Sequence, residues 1–291
     1  MAGWDEVIKE IEAVPTQLDN VRRKYIKALS EYTGRSTIAY YSSFLNKNVE
    51  NIEVNDYDLN GFMNAIRELD CSKGLDLILH TPGGDPTAAE AIVEYIKDKF
   101  DKNIRVIVPQ IAMSAGTMIA CSAKEIIMGR QSSLGPIDPQ FNGIPAENIL
   151  KEFEDAKDDL SMHPENAQYW AIKLQQYPAA FMKTAIDAIE LSNELIEKWL
   201  GDVMLKGNSE KLKKAVDFLS SHSNSKVHGR HYRYDQCMEH GLKVTLLEDD
   251  DKLQDLVLSL HHCYIISFEN SNAVKMISSD SGKDFITHLK M

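Results

Sequence analysis

The stretch that decides the fold is Ile104-Arg105-Val106-Ile107-Val108, followed after Pro109-Gln110 by Ile111-Ala112-Met113-Ser114-Ala115-Gly116-Thr117-Met118. The first run is almost continuously apolar and of strand length, which is typical of a strand buried on both faces of a parallel sheet. The second run opens an apolar helix, predicted over residues 114–123. A sharp strand-to-helix turn lifts a serine hydroxyl above the sheet, and small neighbours let a substrate carbonyl approach. Ser114 is therefore a candidate nucleophile.

An earlier strand, predicted over Leu75 to Leu79, ends in His80-Thr81-Pro82-Gly83-Gly84. A glycine pair after a strand can turn backbone N–H groups toward an oxyanion that develops during a reaction. The pair has neither a GxGxxG pattern nor a Walker lysine, so a phosphate cradle is not indicated. The two runs together predict the acyl-transfer site of a serine hydrolase, with a peptidase as the favoured type.

Strands alternate with helices through the first half of the chain, which indicates parallel βαβ units. From residue 144 to residue 220 the pattern becomes mainly helical, and residues 221–226 are polar and predict a mobile loop. The strands are predicted at 38–41, 75–79, 104–108, 125–128 and 242–247, and the main helices at 58–69, 88–100, 114–123, 167–174, 179–204, 210–220, 234–240 and 251–262. The class is therefore α/β with an added helical segment.

The charge, the cysteine spacing and the lengths of the apolar runs argue against several classes of function. The chain has 291 residues and a formal net charge of −12, and an acidic chain is a poor ligand for nucleic acid or an anionic membrane. Its four cysteines are widely spaced and form no zinc pattern. The N-terminus lacks a signal-peptide layout, and no apolar run reaches the roughly 18 residues of a membrane span. We expect a cytoplasmic protein with no membrane span, no nucleic-acid partner, no metal and no organic cofactor.

Four runs resemble the serine dehydrogenase proteinase family of the Clp protease and crotonase superfamily, which is related to signal peptide peptidase A. They are His-Thr-Pro-Gly-Gly at 80–84, Met-Ser-Ala-Gly-Thr-Met at 113–118, Ser-Ser-Leu-Gly-Pro-Ile-Asp-Pro-Gln at 132–140, and His-Gly-Arg at 228–230 with Gly241-Leu242 after the next helix. The resemblance covers roughly residues 25–265. The old activity label in the family's name does not lead us to expect serine deamination, because nothing here resembles a PLP lysine motif or an iron–sulfur site.

The resemblance implies a spiral of ββα units, a nucleophile at Ser114, and an oxyanion hole made by the backbone N–H groups of Gly84 and Ala115. It also implies a peptide or protein substrate and a homo-oligomer. We accordingly expect a helical arm over residues 1–35, a Clp/crotonase-like serine peptidase domain over 36–268, and a polar, partly disordered tail over 269–291.

The general base has two candidates. In the Clp proteases a histidine follows the serine in the segment that here contains Asp138, and an aspartate lies in the segment that here contains His228. One hypothesis makes His228 the base, with Asp138 beside it. The other takes a lysine, as in the signal peptide peptidases. Lys173, between two apolar residues, is the better lysine candidate because a neutral lysine needs burial.

Two rival functions share the same fold. A crotonase-type acyl-CoA enzyme would keep the oxyanion hole and use carboxylates as acid and base, which would leave the serine superfluous. A non-catalytic scaffold or sensor would explain the exchanged positions of Asp138 and His228 as a sign of lost activity. Covalent labelling of Ser114 by a fluorophosphonate separates the peptidase from both.

Overall fold

The computed structural model describes Ile8 and residues 18–289. Residues 1–7 and 9–17 of the expected helical arm lie outside the described residues. The elements in chain order are α1 (Leu18–Thr33), β1 (Ser36–Ser42), α2 (Asp58–Ile66), β2 (Leu75–His80), α3 (Pro86–Lys99), β3 (Ile104–Val108), β4 (Ile111–Ala112), α4 (Ala115–Cys121), β5 (Glu125–Met128), β6 (Ser133–Leu134), β7 (Gln140–Phe141), β8 (Ile144–Pro145), α5 (Ala146–Met162), α6 (Ala167–Leu174), α7 (Phe181–Asp202), α8 (Ser209–Ser220), α9 (His222–Ser225), β9 (Tyr232–Arg233), α10 (Tyr234–Glu239), β10 (Val244–Leu246), α11 (Asp251–Glu269), β11 (Ala273–Ser279) and β12 (Asp284–His288).

The main sheet has the strand order β10-β5-β3-β2-β1-β11-β12. Its first five strands run parallel, whereas β11 is antiparallel to β1 and β12 is antiparallel to β11. The predicted α/β class is confirmed. The parallel strands are buried on both faces, as their apolar sequences require.

A small second sheet, β4-β6-β9, lies beyond the carboxyl ends of the main strands. The unit β3-β4-α4 places its first strand in the main sheet and its second in the small sheet before the helix begins. Thr81, just after β2, bridges to Ala112 of β4. This bridge brings the end of β2 beside the start of α4, so the glycine pair and Ser114 meet.

The two faces of the sheet have separate cores. Leu77 and Leu79 of β2 contribute to the core under α3 and α4, whereas Ile78 contributes to the core under α11. This alternation follows from the two-residue period of a strand. Among the described residues, no helix combines the length and the apolar character of a membrane-spanning segment.

The C-terminal part differs from the sequence prediction. The region expected to be a polar, partly disordered tail contains β11 and β12, and every residue of β11 is buried. The expectation was wrong because the polar residues of β11 have tertiary partners, above all Lys275, whose ammonium lies on the Asp58 carboxylate. The helix predicted to end at residue 262 continues to Glu269.

The segment predicted as a mobile loop at 221–226 also differs from its prediction. Residues His222–Ser225 form the short helix α9, and His222 is buried. The Glu147 carboxylate accepts hydrogen bonds from the backbone N–H groups of His222 at 3.1 Å and Ser223 at 3.3 Å. A distant side chain thus satisfies the helix N-terminus, which the local polar sequence could not indicate.

Candidate active site

Ser114 sits in a strained turn between β4 and α4. Its φ of 49° and ψ of −117° lie in a region that residues with a side chain rarely adopt, and such conformations cost on the order of 1–3 kcal/mol. Although Ser114 holds the N-cap position of α4, its side chain makes no capping hydrogen bond. The hydroxyl therefore does not cap the helix and is available to a ligand in the cavity.

The glycine pair lies against Ser114. Gly83 has a φ of +97°, and a Cβ added there would meet the Met113 carbonyl oxygen at 2.5 Å and the Ser114 Cβ at 2.7 Å. Gly84 has a φ of +149°, and its Cβ would meet the backbone of Val54 at 2.4 Å. Both positions need glycine because the backbone is left-handed and another chain segment occupies the side-chain space.

Two backbone donors near Ser114 are unused. In the part of the chain that the structure describes, neither the Gly84 N–H nor the Ala115 N–H has a protein acceptor. Ala115 is the first residue of α4, where an N–H has no partner within the helix. Ala115 follows the serine in sequence, Gly84 reaches it from the end of β2, and both residues line the same cavity as Ser114.

Asp138 is a buried carboxylate, 2% exposed, on the segment that follows β6. Thr117 of α4 holds this segment, because its Oγ1 donates to the Gly135 carbonyl and accepts from the Gly135 N–H, both at 2.9 Å. The Ile137 N–H donates to the Leu219 carbonyl of α8 at 2.9 Å. The carboxylate is thus tied both to the helix of Ser114 and to the helical segment.

Two histidines share the Asp138 carboxylate. Nδ1 of His228 is 2.8 Å from Oδ1, and Nδ1 of His222 is 2.8 Å from Oδ2. Since a carboxylate accepts and cannot donate, we infer that each Nδ1 carries the proton in the neutral ring, which leaves each Nε2 with a lone pair. Gln140 also donates to Oδ2, at 2.7 Å.

His222 is the site residue that the sequence analysis missed. It lies in a run of turn-forming residues, Ser221-His222-Ser223-Asn224-Ser225, which resembles an exposed loop. The Arg230 guanidinium joins α9 to the loop of His228, because its Nη1 donates to the Asn224 carbonyl at 2.7 Å. The one signal in the sequence was the close spacing of His222, inside the polar run, and His228, shortly after it.

One cavity of about 630 Å³ brings the predicted site residues together. Its lining includes Ser114, Ala115, Gly84, Asp138 and His228. The His228 side chain is 31% exposed, so its ring is open to the cavity, whereas Asp138 is shielded behind it. Part of the remaining wall is apolar, from Met118, Ile137, Phe141 and Ala188, and part is polar, from residues that include Gln140 and Ser192.

Lys173 lies elsewhere. Its Nζ is 2.6 Å from a Glu152 carboxylate oxygen, its side chain is 37% exposed, and it is not among the residues that line the cavity. The hydrogen bond to Glu152 raises the pKa of Lys173 above its ordinary value. The burial that a neutral lysine would need is absent, so the geometry supports His228 over Lys173 as the candidate base.

His80 ends β2 beside the glycine pair but belongs to the other face of the sheet. Its ring contacts Tyr41, Phe44 and His261, and burial lowers the pKa of His80 to about 3. It is therefore a neutral core residue. Within the described ranges, no group of three or more His, Cys, Asp or Glu side chains could hold a metal ion.

Comparisons with known proteins identify the family. The family described as "ClpP-like SDH-type serine proteinase" matches residues 18–168, which is more than half of the chain. Two uncharacterized proteins of Methanocaldococcus jannaschii are similar to this chain: MJ0137 is 43% identical over 109 residues (36% of this chain and 38% of the relative), and MJ1495 is 42% identical over 96 residues (33% and 32%). The matched stretches thus span less than half the length of these relatives.

Among solved structures, a mutant of "1510-N membrane-bound stomatin-specific protease" is similar at 19% identity with a TM-score of 0.40, over 70% of this chain and 79% of that one. The family match covers α1 to α5 and includes the strained serine turn, the glycine pair and Asp138. It confirms the predicted resemblance and the Clp-like α/β fold. The chain belongs to the ClpP-like SDH-type serine proteinase family.

Proposed function

We propose that this protein is a serine peptidase that cleaves peptide bonds through an acyl-enzyme on Ser114. The observation that carries the proposal is the hydrogen bond from His228 Nδ1 to Asp138, in the cavity that also exposes Ser114. A nucleophile, a base with a free Nε2 and a carboxylate that orients the base are the parts that serine catalysis requires.

The proposed steps conserve protons. His228 Nε2 takes the proton of the Ser114 hydroxyl as Oγ attacks the peptide carbonyl carbon, and the Gly84 and Ala115 N–H groups stabilise the resulting oxyanion. The imidazolium then gives its proton to the leaving amine nitrogen, which leaves an acyl-enzyme. A water molecule repeats the sequence, and Ser114 is regenerated. Asp138 holds the ring and stabilises its charged form throughout.

The cavity wall suggests the substrate. Met118, Ile137, Phe141 and Ala188 form an apolar surface next to Ser114 and the two proposed oxyanion donors. Burial of an apolar side chain there would contribute about 25 cal/mol for each Å² removed from water. We propose that the enzyme acts within peptide chains, as an endopeptidase, on bonds flanked by an apolar residue.

A homo-oligomer and a cytoplasmic location are also part of the proposal. The family resemblance suggests the oligomer, and large apolar side chains are exposed on the helical segment, including Met162, Tyr169 and Ile172. Light scattering on the purified chain gives its mass in solution. Fractionation of the source cells, followed with an antibody, tests the location.

The rival functions have less support. An acyl-CoA enzyme of the crotonase type needs carboxylates free to act as acid and base, but Asp138 is bound by two histidines. A scaffold with a decayed site would not need the Asp138–His228 pair or the two unused N–H donors beside Ser114. The exchanged positions of Asp and His therefore do not argue for lost activity.

The proposal is tested by hydrolysis of fluorescein-labelled casein by the purified chain and by Ser114→Ala. We expect cleavage by the wild type, and none by the variant at the same melting temperature and the same oligomeric mass. Cleavage that persists in the pure variant would contradict the proposal.

A further inference from the structure

The Lys275 ammonium is buried and holds one backbone carbonyl. Lys275 is 2% exposed, and its Nζ is 2.8 Å and 2.9 Å from the two carboxylate oxygens of Asp58 and 2.6 Å from the Glu53 carbonyl oxygen. An ammonium group has three N–H donors, so these three acceptors use all of them. The Glu53 carbonyl is thus fixed by a charge-assisted hydrogen bond, which is roughly twice as strong as a neutral one.

The Glu53 carbonyl and the Val54 N–H belong to the same peptide group. In a trans peptide group the C=O and the N–H lie in one plane and point in opposite directions. A lysine that holds the carbonyl on one side therefore aims the N–H on the other side. The Val54 N–H donates to the Gly83 carbonyl at 2.7 Å.

The next peptide group along this hydrogen-bonded path also has its C=O and N–H on opposite sides. The Gly83 carbonyl and the Gly84 N–H share the next peptide group, and the Gly84 N–H is one of the two proposed oxyanion donors. The Asp85 N–H donates to the Val54 carbonyl at 2.9 Å, so Val54 is hydrogen-bonded to the residues on both sides of Gly84. Two hydrogen-bonded peptide groups thus connect the Lys275 ammonium to the oxyanion hole.

We propose that Lys275 is a positioning residue for the oxyanion hole and acts through the peptide groups of Glu53–Val54 and Gly83–Gly84. This inference rests on the proposed function. Hydrogen-bonded groups in a chain polarise one another, and a cation at the carbonyl end strengthens the N–H donor at the far end. The hydrogen bonds also fix the orientation of the Gly84 peptide, whose φ of +149° is open to a glycine only.

The position of Lys275 gives β11 a role in the reaction. β11 lies outside residues 18–168, the part that matches the family, and it was the part of the chain expected to be disordered. Asp58 accepts hydrogen bonds from the Tyr40 hydroxyl at 2.8 Å and from the Asn55 N–H at 3.0 Å, which fixes the partner of the ammonium in turn. The antiparallel strand therefore supports the loop that pairs with the glycines.

The test compares two ion pairs in which the lysine is buried. Loss of one partner of a buried ion pair leaves an unpaired charge, so Lys275→Met is combined with Asp58→Asn. The matched control is Lys97→Met with Asp202→Asn, because Lys97, on α3, is also buried, at 3% exposure. Its Nζ is 2.9 Å from a carboxylate oxygen of Asp202, which ends α7 and is 35% exposed. The rate of Ser114 labelling by a fluorophosphonate probe, the kcat and KM for a fluorogenic peptide, and the melting temperature are measured for each.

We expect the Lys275 double variant to be labelled at least about 10-fold more slowly, approaching the roughly 100- to 1,000-fold that loss of an oxyanion donor costs. Its kcat should fall while KM stays unchanged, because the oxyanion exists only in the transition state. The Lys97 control should label at close to the wild-type rate.

The outcomes separate the two proposals. Wild-type protein that does not label at Ser114 overturns the proposed function and this inference together. Two results overturn this inference alone, provided that the wild type labels normally. In the first, the folded Lys275 double variant labels as fast as the wild type. In the second, the Lys275 and Lys97 double variants label equally slowly. If the Lys275 double variant does not fold, Lys275→Arg decides. It keeps the charge beside Asp58 but displaces the Glu53 carbonyl, and an unchanged labelling rate would contradict the inference.

Discussion

The Asp138 carboxylate accepts a hydrogen bond from His228 Nδ1 at 2.8 Å, across 90 residues of sequence. In the Clp proteases that the chain resembles, the segment of Asp138 carries the histidine and the segment of His228 carries the aspartate. A His–Asp pair requires only that the carboxylate meet Nδ1 and that Nε2 be free. The two segments meet directly through this hydrogen bond, so an exchange of the two residue types preserves the pair.

Asp138→Asn tests whether the carboxylate orients His228. An amide cannot replace the acceptor without presenting a donor to one of the two histidines, and the ring is expected to adopt the wrong tautomer. We predict a fall in kcat on the order of 100- to 10,000-fold. Gln140→Leu is the control, because it removes a hydrogen bond to the same carboxylate without touching a histidine. Equal activities in the two variants would contradict the role of Asp138.

His222 provides a second prediction about the same carboxylate. His222→Asn keeps a hydrogen-bond donor near the position of Nδ1. His222→Leu removes the donor and puts an apolar side chain of similar size in its place. A hydrogen bond to a charged group is worth about 1.5–3 kcal/mol, so we expect roughly 10-fold lower kcat in the leucine variant and recovery in the asparagine variant. Two variants of equal kcat and equal melting temperature would show that His222 does not position Asp138.

Lys173→Met separates the two candidate bases. Lys173 is paired with Glu152 outside the cavity, so its replacement should leave kcat close to that of the wild type. His228→Gln, measured in the same peptide assay, should lose most of the activity, since general-base catalysis contributes about 100- to 10,000-fold. The reverse result would favour a Ser–Lys mechanism.

The burial of His80 should make the free energy of unfolding depend on pH in the acid range. Burial lowers the pKa of His80 to about 3, whereas an unfolded histidine titrates near 6.5. Between these values the unfolded state binds more protons, so the free energy of unfolding falls as the pH falls, by up to about 1.4 kcal/mol per pH unit. Urea unfolding from neutral to acidic pH measures the slope.

His80→Phe is the matched variant for this slope. The phenyl ring keeps the contacts with Tyr41 and Phe44 and cannot titrate. Its stability should depend less steeply on pH over the same range. His261, whose pKa burial also lowers, remains in the variant and contributes to the slope that is left. Identical slopes in wild type and variant would exclude His80 as a source of the acid sensitivity.

The sequence was sufficient for the parts of the fold that local pattern controls. The strands Ile104–Val108 and Glu125–Met128 have the predicted bounds, since continuous apolar runs between turn residues have few alternatives. The Ser114 turn and the glycine pair were found for a related reason. Small residues that tolerate close backbone approach stand out in a sequence.

The sequence was insufficient where a polar residue is buried by a distant partner. In the sequence, Lys275 makes the β11 segment look polar and exposed. In the structure its ammonium is paired with Asp58, which is 217 residues away. His222 appears exposed until Glu147 and Asp138 are brought to it. Such pairings depend on tertiary contacts and leave no periodic signal along the chain.

The proposed peptidase depends above all on the activation of the Ser114 nucleophile by His228. The most direct measurement is mass spectrometry of the protein after reaction with a fluorophosphonate, for wild type and His228→Ala. We expect one adduct per chain, on the peptide that contains Ser114, and labelling of the variant slowed by at least about 100-fold, since a general base contributes that much. An adduct on another residue, no adduct on wild type, or equal labelling rates in the two proteins would contradict the proposal.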